Sequence, residues 1–216
     1  MNYHQPLHPD HVYHVYNRSI GGERLFRTNE NHQFFLNQWE RYVHPFCKTY
    51  AYCLLPDHLH FVVAVRSEED LALEIPKLKT TVAQQWEAKE AITADVLMHQ
   101  FSRLFSSYAQ SYNKIYKRPG SLFQKGFKRV LVKDNDRLLQ LVQYVHQNPL
   151  HHGLTRRYED WVYSSYRAYL RDQFTLVARE EILELFDANI EVARKDFLQF
   201  HQEQKDWMRI EGITLE

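Results

Sequence analysis

The sequence predicts an α+β fold in which helices pack on one face of an antiparallel sheet. Residues 12–17 have the composition of a strand, and 46–55 and 58–65 are apolar segments separated by a short turn, which is typical of a hairpin. Apolar residues recur at helical spacing over 29–43 and 97–115. The order strand, helix, hairpin, helices, strand, helix favours a sheet with one covered face and one open face.

The chain is long enough for one sizeable core. Its 216 residues are 44% apolar and 14% aromatic, which favours one main domain. We assign residues 1–171 to this domain and residues 172–216 to an acidic helical extension. The two cysteines, Cys47 and Cys53, are too few for a disulfide framework and are expected to be reduced core residues.

Charge is unevenly distributed, although the 27 basic and 27 acidic residues cancel. Residues 101–170 contain 12 Lys/Arg against 4 Asp/Glu (+8), whereas 1–100 contain 9 against 12 (−3) and 171–216 contain 6 against 11 (−5). This segregation indicates a basic working surface followed by an acidic segment. No window of 18 apolar residues occurs, and the first residues lack a basic segment followed by an apolar run, so we expect a cytoplasmic protein without a membrane span.

The first elements are a strand, a turn and a helix. The strand over 12–17 is followed by Gly21-Gly22, which predicts a turn. Thr28 or Asn29 is placed to cap the helix over 29–43. The apolar stripe of this helix consists of Phe35, Trp39, Tyr42 and Val43.

The later elements are helices and one more strand. Pro76 suits the first turn of a short helix, and Pro119-Gly120 ends the long helix over 97–115. Residues 121–132 are predicted to form a strand, and a helix capped near Asp134 is expected to reach about Gln147.

The second strand of the hairpin carries His58 and His60 in an otherwise apolar sequence, HLHFVVAV. Because side chains alternate between the faces of a strand, both imidazoles lie on one face and Leu59 and Phe61 lie on the other. Imidazoles are common metal ligands. The alternative is that they are two polar residues on the solvated side of a half-buried strand.

A metal held by two histidines also needs oxygen donors, and the helix after Asp134 can supply a polar side chain. Tyr144 lies roughly 110° from the centre of its apolar stripe, on the flank of the helix and not in the core. Asn148 follows one turn later on the same flank, although Pro149 is expected to end the helix there. Amphipathic packing is the alternative role for Tyr144. The rival tyrosines by spacing are Tyr108, Tyr112 and Tyr116.

Several motifs in this order resemble the single-domain HUH tyrosine transposases, in particular the REP-associated tyrosine transposases within the IS200-like transposase family. Together they cover most of residues 12–171. The motifs are YHVYNRSIGGERLF (13–26), HLH (58–60), RPGSLFQKGFKR (118–129), YVHQNPLHHG (144–153) and DWVYSSY (160–166).

The resemblance implies a ferredoxin-like or RRM-like HUH domain that acts on single-stranded or hairpin DNA. It implies that His58, His60 and Asn148 bind a divalent ion, Mg²⁺ or Mn²⁺, and that Tyr144 is the nucleophile. The expected reaction is metal-dependent nicking and strand transfer through a 5′-phosphotyrosine. REP-associated members tend to be monomers and insertion-sequence relatives dimers, which favours a monomer over a homodimer.

Two other functions fit the same motifs. A non-catalytic protein derived from a transposase would bind structured nucleic acid without cutting it. A hydrolytic metallonuclease would use water in place of Tyr144.

The basic segment is the predicted DNA-binding surface, because Lys and Arg side chains contact phosphates with little sequence preference. The alternative is a solvated helix end whose cations complement the helix dipole. The predicted DNA-binding residues are Arg103, Lys114, Lys117, Arg118, Lys125, Lys128 and Arg129.

Overall fold

A computed structural model describes residues 3–203 and shows one four-stranded sheet. The strands are β1 (Val12–Arg18), β2 (Cys47–Leu54), β3 (His58–Val65) and β4 (Lys128–Val132). Their order is β2-β3-β1-β4, and every neighbouring pair is antiparallel. The predicted hairpin and the α+β fold class are therefore confirmed.

Eight α-helices accompany the sheet within the described range. They are α1 (Asn29–Tyr42), α2 (Glu68–Glu74), α3 (Thr81–Glu87), α4 (Thr93–Tyr116), α5 (Asn135–His151), α6 (Tyr166–Tyr169), α7 (Arg179–Leu183) and α8 (Ile190–Gln202). Short 3₁₀ turns occupy Ile75–Lys77 and Tyr158–Asp160. In residues 3–203 no helix combines the length and the apolar character that a membrane span requires.

The two faces of the sheet have separate cores. The α1/α4 face packs the strand residues Val15, Leu59 and Phe61 against α1 and α4. The α5 face packs Ala51, Val62 and Ala64 against α5 and the helices that follow it. The prediction that helices cover only one face, leaving the other open, is therefore wrong. Helix α5 has an apolar stripe, and packing the helix onto the sheet buries this stripe. A face left open to solvent would not bury it.

The strand predicted over 121–132 is shorter than expected. Only Lys128–Val132 forms a ladder, with β1. Gly126 adopts φ +75°, in the left-handed region that glycine reaches without a Cβ penalty, and this interrupts the extended chain. A Cβ at this position would lie 3.3 Å from Cε1 of His4, so the N-terminal segment also crosses closely here.

Helix α5 continues beyond Pro149, which was expected to end it. Asp134 caps its first turn by accepting a hydrogen bond from the backbone N–H of Arg137 at 2.8 Å. Near the other end, Nδ2 of Asn148 donates to the carbonyl of Tyr144 at 2.8 Å. Gly153, at φ +65°, provides the left-handed residue that commonly follows a helix. Pro149 lies inside the last turn of the helix.

The chain after residue 171 packs on the α5 face. Ile182 and Leu183 of α7 and Phe197 of α8 belong to the same core as the apolar residues of α5. Residues 204–216, the remainder of the predicted acidic extension, lie outside the described residues. Cys47 and Cys53 are buried free thiols, as predicted.

Candidate active site

Three strands meet at one end of the sheet, where β1 ends and β3 and β4 begin. Antiparallel register places Tyr16 of β1 beside His60 of β3 on one side and beside Lys128 of β4 on the other. Arg18 lies beside His58 in the same ladder. Because alternate residues share a face, these side chains all belong to the α5 face.

Both predicted metal-binding histidines use Nδ1 in a hydrogen bond to a neighbour. Nδ1 of His58 lies 2.8 Å from Oδ1 of Asp57. Nδ1 of His60 lies 3.0 Å from Nε2 of His14, whose ring stacks on His60 at 5.2 Å between centroids. Contacts of this kind fix the orientation and tautomer of a ligating imidazole.

The imidazoles at the centre of the site are neutral. Burial lowers the pKa of His60 well below its usual value, and the neighbouring His14, His58 and His152 lower it further. Burial also lowers the pKa of His14 to about 3, with a smaller effect from Arg137. A metal binds the neutral imidazole, so this protonation state suits a ligand.

The donor set fits a divalent ion in part. If His60 donates from Nδ1 to His14, its Nε2 carries a lone pair, and a metal would bind through Nε2 of His60 and of His58. Among residues 3–203 no three His, Cys, Asp or Glu residues come together as a metal site. The remaining donors would therefore be an amide, water or phosphate oxygens, which Mg²⁺ and Mn²⁺ accept.

Tyr144 lies against the imidazole rings of His60 and His14. Its ring is 5.6 Å from that of His60 and 6.1 Å from that of His14, edge-on in both cases. The structure therefore brings the predicted nucleophile to the predicted metal-binding histidine. The prediction that Tyr144 lies outside the core is wrong, because the residue is only 6% exposed and packs with Leu141 and Val145.

Asn148 is also buried, with 3% of its surface exposed. Its amide nitrogen donates to the carbonyl of Tyr144 and so braces the turn that carries the predicted nucleophile. The metal-binding role of Asn148 stays a prediction.

A cavity opens beside the histidines at the end of the sheet. It is lined by His58, His60 and Tyr16, together with the cations Arg18, Lys125 and Lys128. No acidic side chain from the described part of the chain lines it. Of the seven predicted DNA-binding residues, the structure brings Lys125 and Lys128 to this cavity.

The other predicted DNA-binding residues have different surroundings. Arg129 is 8% exposed, and its guanidinium donates to the carbonyls of His4, Gln5 and Phe127. These contacts bind the N-terminal segment to β4 and give Arg129 a structural role. Its DNA-binding role stays a prediction.

Nε of Arg118 donates a hydrogen bond to Oε2 of Glu23 at 3.3 Å, and its Nη1 donates to the carbonyl of Pro119. Arg103 lies over the ring of Tyr42 at 4.8 Å. Lys114 and Lys117 are exposed around the end of α4. A role for these four in DNA binding stays a prediction.

Sequence reasoning missed His14, Tyr16 and Arg18 as site residues. The alternation in VYHVYNR places all three on one face of β1, and this signal was available. Their position beside His60 follows from the pairing of β1 with β3, which the sequence alone does not specify.

Comparison with solved structures supports the fold. A structure described as that of the REP-associated tyrosine transposase bound to a REP hairpin matches with a TM-score of 0.52. The match covers 82% of this chain and 89% of that one at 13% sequence identity. The chain thus has the fold of a tyrosine transposase.

Comparison with curated proteins shows the family. The "Putative REP-associated tyrosine transposase" of Haemophilus influenzae is 30% identical over 139 residues, which are 64% of this chain and 68% of the relative. No family model matches the chain. The chain belongs to the REP-associated tyrosine transposase family, as its motifs predicted.

Proposed function

We propose that this protein nicks and rejoins single-stranded or hairpin DNA through a covalent bond to Tyr144. The observation that carries the proposal is the contact between Tyr144 and His60, whose ring centroids are 5.6 Å apart. His60 lines the cation-lined cavity, and Tyr144 contacts His60 from within the α5 core. A phenol beside a neutral imidazole that faces such a cavity suits attack on a phosphodiester.

The substrate class follows from two observations. The solved structure with this fold is described as bound to a REP hairpin. In this chain the cavity beside the histidines is lined by three cations, which suit the DNA backbone. Hairpin DNA with a single-stranded flank is therefore the proposed substrate.

The proposed reaction is a transesterification. The phenolic oxygen of Tyr144 forms a bond to phosphorus while the bond from phosphorus to the 3′ oxygen breaks. The phenolic proton passes to solvent or a base, and the leaving 3′ oxygen takes up a proton. The 5′ phosphate remains on the tyrosine, so the 3′ hydroxyl of a second strand can reverse the step without ATP.

His58 and His60 would hold the divalent ion, with Asn148 as the predicted further ligand. When bound, Mg²⁺ or Mn²⁺ supplies positive charge that polarises the phosphate. Asp57 and His14 orient the two imidazoles for this role through their contacts to Nδ1.

A second candidate function is binding of hairpin DNA without cleavage. The observation that favours it is the burial of Tyr144, which is 6% exposed and packed in the core of the α5 face. Cleavage requires DNA to reach the hydroxyl of this largely buried residue. Binding at the cavity does not require access to Tyr144, which is not among the residues that line it.

A covalent-adduct assay separates the candidates. Labelled hairpin DNA with a single-stranded flank is incubated with the protein and Mn²⁺, then resolved on a denaturing gel. We expect a protein–DNA adduct that Tyr144→Phe abolishes, because phenylalanine keeps the ring but lacks the nucleophilic oxygen. Tyr116→Phe is the matched control, since its hydroxyl donates to Asn31 at 2.9 Å on the other face of the sheet.

Each other outcome points to a different function. A salt-sensitive gel shift with no adduct would support the binding protein. Cut DNA without an adduct, and undiminished in Tyr144→Phe, would indicate a hydrolase that uses water.

A further inference from the structure

Lys128 holds its ammonium group between two tyrosine rings at the edge of the cavity. Nζ lies 5.2 Å from the centroid of Tyr3 and 5.5 Å from that of Tyr16. Both distances are within the range of a cation–π interaction. The two rings limit the freedom of a side chain that is otherwise among the most flexible, so the charge has a defined position.

This position is close to the predicted metal-binding histidine. The ladders align Lys128, Tyr16 and His60 across three adjacent strands on one face of the sheet. With strands about 4.8 Å apart, the Cα atoms of Lys128 and His60 are roughly 10 Å apart. Both residues line the same cavity, so a phosphate group between them would be within reach of both.

Lys128 forms no ion pair with an acidic residue in the described part of the chain. Lys48 and Lys77, by contrast, pair with Glu181 and Glu74 at 2.8 and 2.7 Å. A half-buried ammonium without a counterion is stabilised when an anion binds next to it.

We propose that Lys128 is a catalytic residue that contacts the scissile phosphate itself, a role distinct from that of lysines that bind flanking phosphates. This inference rests on the proposed function. The ammonium would donate a hydrogen bond to a non-bridging oxygen and stabilise the negative charge that develops as Tyr144 attacks. It transfers no proton and forms no covalent bond.

The test compares Lys128→Met with wild type in two measurements, hairpin affinity and the single-turnover rate of adduct formation at saturating DNA. We expect the rate to fall about 100-fold, which is typical for loss of one group that stabilises transition-state charge. Affinity should fall by less than about tenfold, because one phosphate contact among several is lost. Lys128→Arg keeps the charge and should recover at least a tenth of the wild-type rate.

Lys133→Met is the matched control. This lysine follows β4 at the opposite end of the strand and is exposed, so the variant should leave both measurements unchanged. Thermal melting of each variant verifies that it is folded.

The outcomes are distinguishable. Lys128→Met could lower the affinity and the rate of adduct formation at subsaturating DNA by the same factor, while the rate at saturating DNA stays normal. This result would place Lys128 on a flanking phosphate and overturn the assignment. A normal rate and affinity in Lys128→Met would also overturn it. If wild-type protein forms no adduct, the proposed function fails first and the catalytic assignment fails with it.

Discussion

Alternate residues of β3 face two environments that have different tasks. Phe61 is fully buried on the α1/α4 face and stacks on Trp39, with the ring centroids 3.6 Å apart. His60, its neighbour in sequence, is 3% exposed on the α5 face, where it contacts His14 and Tyr144. One face is therefore built from aromatic packing, and the other contains polar rings that have been removed from water.

The four most buried histidines of the chain all belong to the α5 side of the sheet. They are His14, His60, His146 and His201, each 3% exposed or less. Burying an imidazole is unfavourable unless it is hydrogen-bonded, and it contributes less to stability than burying an aromatic ring. The comparison indicates that the α1/α4 face stabilises the domain, whereas the α5 face holds the candidate site at some cost to stability.

Substituting the adjacent residues Phe61 and His60 should destabilise the protein to different extents. Phe61→Ala should lower the free energy of unfolding by about 3–5 kcal/mol, because it removes a fully buried ring and leaves a cavity. His60→Ala should lower it by about 1–2 kcal/mol, since the main loss is one hydrogen bond. Urea unfolding followed by circular dichroism measures both values.

Adduct formation should respond in the opposite order. His60→Ala is expected to lose the adduct, whereas Phe61→Ala should retain it at temperatures where the protein is folded. Equal destabilisation by the two substitutions, with adduct formation intact in His60→Ala, would show that the faces do not divide their tasks in this way.

Local patterns predicted much of the α1/α4 face. The periodicity of α1 and α4 and the short turn of the β2–β3 hairpin depend on residues near in sequence, and all three elements are observed. The placement of α5 over the second face depends on long-range packing, which no local pattern encodes. For the same reason the burial of Tyr144 was not predicted.

The site was predicted in part. His58, His60 and Tyr144 were proposed from their pattern and from the family resemblance, and the structure brings Tyr144 to His60. Their roles stay predictions. His14 was missed because its partner His60 is 46 residues away in sequence. Arg129 was assigned to the DNA-binding surface from charge alone, although it alternates with Phe127 and Leu131 and so shares their buried face.

The buried histidines of the α5 face should make the stability of the protein depend on pH. Burial lowers the pKa of His146 well below its usual value and that of His201 to about 4. Unfolded, both bind protons near pH 6.5, so the unfolded chain binds more protons than the folded protein below that pH. The free energy of unfolding should therefore decrease as the pH falls from about 6.5 towards 4, by up to about 1.4 kcal/mol per pH unit for each residue.

His201→Gln isolates one of these contributions. Glutamine keeps a polar side chain near His146 but does not titrate, so the slope over this range should decrease by up to about 1.4 kcal/mol per pH unit. His151→Gln, at an exposed position on α5, is the control and should leave the slope unchanged. If the slope of the free energy of unfolding against pH is unaltered in His201→Gln, protonation of His201 does not contribute to the acid sensitivity of the protein.

Two cations near the start of β4 are expected to have different roles. Lys125 is exposed and lines the cavity, whereas Arg129 belongs to the α1/α4 side, where its guanidinium holds the N-terminal segment. Lys125→Ala should make the slope of log affinity against log salt less negative by about 0.7–0.9, because one phosphate contact is lost. Stability should not change.

Arg129→Ala should leave the salt slope unchanged and lower the free energy of unfolding by about 1–3 kcal/mol, because buried carbonyls lose their donor. Filter binding across a salt series and urea unfolding provide the two measurements. A flatter slope in Arg129→Ala with unchanged stability would return this arginine to the DNA interface, and the buried contacts to His4 and Phe127 would then have to open when DNA binds.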